Sequence, residues 1–234
     1  MKLELEITMD ESRILYEDNH LIAIKKLPSD IVQGDKTGDK PLSEVVKSFL
    51  KEKYNKPGNV FCGVIHRIDR PVSGIVVFAK TSKALARMNK LFQEKRVQKV
   101  YWAIVKNKPT KNKETIEHYL RKNQNQNKSY SADPSKGKKC SLTFERLQSS
   151  DHYHLLKVTP HTGRHHQIRC QLSLIGSPIK GDLKYGFERS NKNGSIHLHA
   201  AEIEFEHPVS NQIIKIACSP PEDNLWDYFV AAMP

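Results

Sequence analysis

Two apolar runs, Val60 to Ile65 and Gly74-Ile75-Val76-Val77-Phe78-Ala79, flank the polar segment His66-Arg67-Ile68-Asp69-Arg70-Pro71-Val72-Ser73. The second run is short, continuous and rich in β-branched residues, so it reads as a strand buried on both faces. A chain with such a strand must build a sheet around it, and this one must hold a carboxylate between two guanidinium groups on the turn that enters it. Flanking arginines favour an ionised carboxylate by Coulomb attraction and hydrogen bonding, and they supply positive charge for an anionic ligand. Asp69 therefore reads as a reactive group beside a phosphate-bearing ligand. In isolation the same tetrapeptide would be an exposed ion pair on a loop, so the surrounding pattern has to decide.

That pattern is strand-rich with helices interspersed. Ile14 to Lys26 reads as one strand, followed by a loop containing Pro28, Asp30, Gly34 and Gly38. Pro41 opens a helix with Leu42, Val45, Val46, Phe49 and Leu50 on one face, and Ser82 caps a second helix striped by Leu85, Met88, Leu91 and Phe92. Val100 to Val105, Cys140 to Leu147, His154 to Thr159 and His197 to Glu206 alternate as strands. The segment His161 to Arg169 opens a further helix whose buried face holds Ile168, Leu172 and Ile175, with Gly176 as its terminator before Pro178. Arg169 falls at the edge of that face, where partial burial would make it a fixed partner for a carboxylate. The expected class is α+β, one extended domain over residues 1–234.

Charge narrows the partner. With 38 Lys+Arg against 26 Asp+Glu the formal net charge is +12, which favours a polyanion through phosphate contacts and counterion release. Charge alone leaves RNA, DNA and anionic membrane open. The stretch from Lys106 to Lys139 holds ten Lys/Arg and three Asp/Glu, hence +7, and also the run Asn123-Gln124-Asn125-Gln126-Asn127; it reads as a basic, extended and mobile hairpin or insertion that touches phosphates. Tyr101 and Trp102 follow a basic segment and suit base stacking, although a core tyrosine is the simpler reading. No apolar run is long enough to span a bilayer and Met1 to Asp10 lack the regions of a signal peptide, so a soluble, cytoplasmic protein is expected. The four cysteines are widely spaced and read as reduced, packed thiols. The histidine pairs His152/His154, His165/His166 and His197/His199 suggest a metal only weakly, because such pairs equally mark polar positions on one strand face. No metal is expected.

Several blocks in order, Tyr16-Glu17-Asp18-Asn19-His20-Leu21 with Lys25-Lys26, His66 to Gly74, Lys99-Val100-Tyr101-Trp102-Ala103, Thr162 to Arg169, Gly176-Ser177-Pro178-Ile179 with Gly181-Asp182 and Tyr185-Gly186, and Leu198-His199-Ala200 to His207-Pro208, resemble the RluA-type family of RNA pseudouridine synthases. The resemblance implies an α+β pseudouridine synthase fold with a mixed, mostly antiparallel central sheet and a cleft across it. It implies isomerisation of specific uridines to pseudouridine in structured ribosomal or transfer RNA, without a cofactor. By similarity Asp69 matches the essential aspartate, Tyr101 the active-site tyrosine, Arg169 the basic partner of the aspartate, and Arg67 the arginine that enters the RNA stack where the target base leaves it. His66, Arg70, Arg164 and Gln167 fall in the same blocks as expected substrate-binding residues.

Three positions depart from the family pattern: His165 stands where threonine or serine is usual, Gln171 where histidine is usual, and Pro28-Ser29-Asp30 where Pro-Ala-Gly is common. They border the motifs without removing the named groups. The first catalytic strand begins near Ile14, which leaves no room for the amino-terminal RNA-binding module often found in the family, so RNA affinity is expected from the catalytic domain itself. A monomer is expected. Rival readings are a noncatalytic RNA-binding protein, supported by the same charge and aromatics, and a metal-dependent nuclease or phosphatase built on the histidine pairs.

Overall fold

The structure, a computed structural model, describes residues 9–35 and 37–232. Residues 1–8, part of the segment read as lacking a signal peptide, lie outside the described residues.

The apolar runs become strands, and the strands form one sheet. In chain order the elements are β1 (Ile14–Glu17), β2 (Leu21–Lys26), α1 (Leu42–Lys53), β3 (Gly63–Val64), β4 (Ser73–Ala79), α2 (Ser82–Gln93), β5 (Gln98–Val105), β6 (Lys113–Asn123), β7 (Lys128–Ser131), β8 (Lys138–Ser149), β9 (His154–Pro160), α3 (Gln167–Leu174), β10 (Leu198–Glu206), β11 (Ile213–Ala217) and α4 (Asn224–Ala231). The path across the sheet is β1-β2-β4-β10-β5-β9-β8-β6-β7, with β11 added to β10 and β3 to β4. Neighbours run antiparallel except β4 and β10. The architecture is α+β with a mixed, mostly antiparallel sheet.

Alternation along the central strands explains why they are apolar throughout. In β4, Val76 and Phe78 join the core under α1 and α3, while Ile75, Val77 and Ala79 join the core under α2. Ile22 and Ile24 of β2 divide from Leu21 and Ala23 in the same way, as a period of two requires for a strand covered on both sides. The parallel contact of β4 with β10 is short, His199 opposite Ser73 and Ala200 opposite Gly74. Gly74 has φ +120°, and a Cβ there would fall 2.3 Å from the Ala200 carbonyl oxygen. No other residue fits.

Three sequence expectations change. Ile14 to Lys26 is a hairpin rather than one strand, because the Asp18 carboxylate accepts from the backbone N–H groups of His20 and Leu21, both at 2.7 Å, and turns the chain. The cap of α2 is Thr81, whose hydroxyl accepts from the Ala84 N–H at 3.1 Å, and Ser82 is the first helical residue. The stretch from Lys106 to Lys139 contains a hairpin, β6–β7, as expected, but β6 is also paired with β8 from Lys113 to Leu120 and buries Ile116 and Leu120, so the segment extends the sheet. Among the described residues no helix is long and apolar enough to cross a membrane.

Candidate active site

Asp69 lies in the loop between β3 and β4, on a turn closed by a Val72 N–H donating to the Asp69 carbonyl at 3.0 Å. Beneath this turn Lys26, wholly buried at the end of β2, donates from Nζ to the carbonyls of Leu27 (3.0 Å), Arg70 (3.0 Å) and Val72 (2.6 Å). Three acceptors use all three protons of an ammonium group. Burial draws Lys26 down to about 7, and the carbonyl cradle opposes that pull.

Arg169 comes from α3, whose Ile168 and Leu172 share one core with Ile68 and Val72 of the loop. Its Nε and Nη2 donate to the two carboxylate oxygens of Asp182, at 2.7 and 2.8 Å, and Nη1 donates to Asp69 Oδ2 at 3.0 Å. The side chains of Arg169 and Asp182 are 5% and 1% exposed, so the two-pronged bond is dry and fixes the guanidinium plane. Burial pulls the Arg169 pKa down, but the hydrogen bonds and charge of Asp182, with the charge of Asp69, outweigh it and the net shift is upward. Asp69 Oδ1 has no hydrogen-bond partner among the described residues, and the Asp69 side chain is 29% exposed.

A second approach to Asp69 comes from His166. This residue caps α3 in the left-handed region, φ 52°, a conformation that costs a side-chain-bearing residue energy and must be held by its surroundings. The Ser129 N–H donates to the Tyr185 hydroxyl at 2.8 Å, and that hydroxyl lies 3.0 Å from His166 Nδ1. The hydroxyl, already accepting, donates to Nδ1, which assigns the ring proton to Nε2. Nε2 faces Asp69 Oδ2 at 3.5 Å. Burial, then the Arg169 charge, lowers His166 to about 2, so the ring is neutral and adds a polarised N–H beside the carboxylate rather than a charge.

These groups open on a cavity of about 130 Å³, close to the roughly 150 Å³ that holds a benzene ring. Asp69, Arg67, Tyr101, Arg164 and Lys99 line it, with Ile168 and Leu198 among its apolar walls. Tyr101 is half-buried on β5, and burial, then the charge of Asp69, raises its phenol pKa. Arg67 is exposed, with one 3.3 Å bond from Nη1 to Gln33 Oε1. The structure thus brings together Asp69, Tyr101, Arg169, Arg67 and Arg164. The two arginines that flank Asp69 in sequence are not its partners: Arg70 pairs instead with Asp39. His66 turns from the cavity, accepting the Val77 N–H at Nε2 (3.1 Å) and stacking on Phe92, and burial followed by the charge of Lys99 lowers it to about 3. Gln167 is on the wall, but its Oε1 accepts from the Thr162 hydroxyl and the Arg164 N–H and its Nε2 donates to the Ser141 carbonyl. It shapes the loop.

Against known proteins, residues 20–174 match the family model described as RNA pseudouridylate synthase. The chain belongs to that family. It is 32% identical over 209 residues to the ribosomal large subunit pseudouridine synthase C of Vibrio vulnificus, covering 87% of this chain and 64% of that one. It is 33% identical over 224 residues to the protein of the same name in Rickettsia prowazekii, covering 94% of this chain and 71% of that one. Among solved structures, human RNA pseudouridylate synthase domain containing 4 superposes with a TM-score of 0.77 at 21% identity over 93% of this chain and 92% of that one, a likeness of fold.

Within this family member the three departures are all engaged locally. His165 lies 2.9 Å from the Ser129 hydroxyl and 3.1 Å from Asn127 Oδ1 of the β6–β7 hairpin, and its ring stacks on His166 at 3.8 Å. Gln171, wholly buried, donates to the Ile116 carbonyl of β6 at 3.2 Å. Asp30 accepts from the Leu27 N–H and pairs with Arg13. Sequence reasoning missed Asp182, Lys26 and His166 as parts of the site. An acidic residue behind a glycine in Gly181-Asp182, and a lysine closing an otherwise apolar strand, were the available signals. The remaining histidine pairs are split among separate partners: His154 with Ser149, His197 with Asp223 and Asn191, His199 with Ser73 and the Cys218 carbonyl.

Proposed function

We propose that this protein isomerises uridine to pseudouridine in large-subunit ribosomal RNA, with Asp69 as the catalytic carboxylate. The observation that carries the reading is the state of Asp69: one oxygen tied to an arginine that Asp182 holds rigid, the other unpartnered among the described residues and open to a cavity of single-ring size. The ribosomal substrate follows the names of the relatives; the chain spans 64% of the length of the Vibrio protein.

The reaction breaks the bond between ribose C1′ and uracil N1, turns the base, joins C1′ to C5 and releases the C5 proton. Nothing is oxidised and no group is transferred to another molecule. Attack at C1′, attack at C6 and a glycal route all require an unencumbered carboxylate oxygen, which Oδ1 provides. Arg169 and His166 hold Oδ2, so the carboxylate cannot rotate away from the cavity.

A uridine in a stacked helix must be extruded first, at a cost of a few kcal/mol, roughly. Arg67, loosely held at the rim, fills the vacated stack, and Tyr101 stacks on the extruded base. Its raised phenol pKa keeps the hydroxyl protonated, which suits stacking and hydrogen-bond donation better than removal of the C5 proton.

The test uses unmodified large-subunit ribosomal RNA carrying tritium at uracil C5. Tritium appears in water with the wild type and not with Asp69→Asn. Binding of the RNA by both proteins without release from either overturns the reading in favour of a noncatalytic RNA-binding protein.

A further inference from the structure

A second hollow, about 710 Å³ and several-fold larger than the Asp69 cavity, runs from the carboxyl end of α2 to the loop after β9. The two share Lys99, Pro160, Thr162, Gly163 and Arg164 as walls, so a chain lying in the larger hollow reaches the smaller without leaving the protein surface. Its charges are of one sign: Lys95, Lys99 and Arg164 line it together with His161, and no Asp or Glu does. None of those three cations has a carboxylate partner among the described residues, whereas Lys90 and Arg96 nearby are paired with Glu94, and Arg96 also with Glu206. Carboxylates are at hand on this part of the molecule and are kept out of the groove.

Lys99 is the unusual member. It is half-buried on β5, burial lowers its pKa, and its ammonium group lies over the Phe92 ring, 5.6 Å from the centroid, with no hydrogen bond or ion pair among the described residues. An ammonium group partly removed from water with no counterion is held at a cost that an arriving anion would relieve. Lys99 and Tyr101 are two positions apart on β5, and both line the Asp69 cavity. A base on Tyr101 therefore brings its own backbone past Lys99.

We propose that this groove is the track for single-stranded RNA on one side of the target nucleotide, with Lys99 gripping a phosphodiester next to it and Lys95 and Arg164 the phosphates beyond. This rests on the uridine-isomerase reading for the identity of the base, but the groove's charge points to a phosphodiester independently of the chemistry at Asp69. Among the described residues the Arg164 guanidinium is engaged through Nε alone, which donates to the Lys139 carbonyl at 3.3 Å, and this leaves its outer side for the role.

The experiment measures binding of a short single-stranded oligouridylate as a function of salt, for wild type, Lys99→Gln, Lys99→Arg, Lys95→Gln and, as a control, Lys90→Gln. One phosphate contact contributes about 0.7 to the slope of log K against log salt on a single strand. Lys99→Gln and Lys95→Gln each reduce the slope by about that much, Lys99→Arg retains it, and Lys90→Gln is unchanged. Thermal melting confirms that each variant is folded, and Lys99→Arg separates loss of charge from loss of packing. Unchanged slope and affinity in folded Lys99→Gln and Lys95→Gln overturn the proposal, even if tritium release from ribosomal RNA persists and the isomerase reading stands. A reduced slope without tritium release by the wild type would instead keep the groove and defeat the isomerase.

Discussion

Behind Asp69 the charged side chains of Arg169, Asp182 and Lys26 are buried and fully engaged. Arg169 is held by Asp182 and Asp69, and Lys26 by the carbonyls of Leu27, Arg70 and Val72. At the β7 edge of the same sheet, Arg121 and Lys122 on the β6–β7 hairpin and Lys136 in the connection to β8 are exposed, and the nearby pair of Lys139 with Glu117 is open to water on both partners. In the first region a charge has one partner in one geometry, and removing that partner strands the other in a medium that cannot solvate it. In the second, water and salt screen each charge over roughly 8 Å at physiological ionic strength, and the effect of any one is small and additive. The sheet thus separates a carboxylate held in one geometry from a diffuse display of positive charge.

The largest expected effect is at the centre of the buried region. Asp69→Asn keeps an acceptor for Arg169 and removes the carboxylate charge on which the proposed reaction depends, so tritium release should fall by at least about 10³-fold with the melting temperature nearly unchanged. Retained turnover would mean that the buried end is structural and the contrast is one of packing only.

Next comes Asp182→Ala, which strands the buried Arg169 guanidinium. Urea unfolding should show a loss of about 3–5 kcal/mol, together with lost turnover, because Asp69 then inherits a mobile partner. A loss below about 1 kcal/mol would show that water reaches Arg169, and the two regions would differ less than their burial indicates.

The pH dependence of stability gives a smaller effect. Burial lowers His199 to about 4 and His66 to about 3 from an ordinary value of 6.5. From pH 6.5 down to those values the unfolded chain binds protons that the folded chain refuses, so stability is full above 6.5 and falls with pH through that window. The urea midpoint should drop between about pH 7 and about 4.5, and His199→Gln should flatten the drop. No flattening would mean that His199 is protonated in the folded chain.

Smallest are the hairpin substitutions. Arg121→Gln and Lys122→Gln should each change stability by less than about 0.5 kcal/mol, while lowering the salt slope of binding to folded ribosomal RNA by about 0.9 for each duplex phosphate that is no longer neutralised. A large loss of stability from either would show that the hairpin's charges are bound to fixed partners like those at Asp69.

The strands and helices with a continuous pattern, β2, β4, β5, β9, β10, α1 and α3, were legible because each repeats one choice, apolar or polar, at the period of its own backbone. β6 and β7 were not. Their alternation is diluted by lysine, asparagine and glutamine, and they become sheet because β8 is there to pair with β6. Within the site, Asp69, Arg169, Tyr101 and Arg67 stand in compact motifs and were readable. Asp182 was hidden because nothing in Gly181-Asp182 says which cation it will meet.

By itself the sequence determined an α+β class, a carboxylate on a turn beside a buried strand, an arginine near the buried face of a helix, and an excess of positive charge. These follow from local rules of periodicity, turn chemistry and composition. Tertiary structure alone decided that Asp69 pairs with Arg169, 100 positions away, and not with Arg67 or Arg70 beside it. It also set Lys26 under the turn and His166 beside the carboxylate, and placed Lys99 in a groove lined by no carboxylate. Hydrogen bonds and ion pairs act over a few ångströms in space, and separation along the chain carries no information about that distance once the sheet has closed.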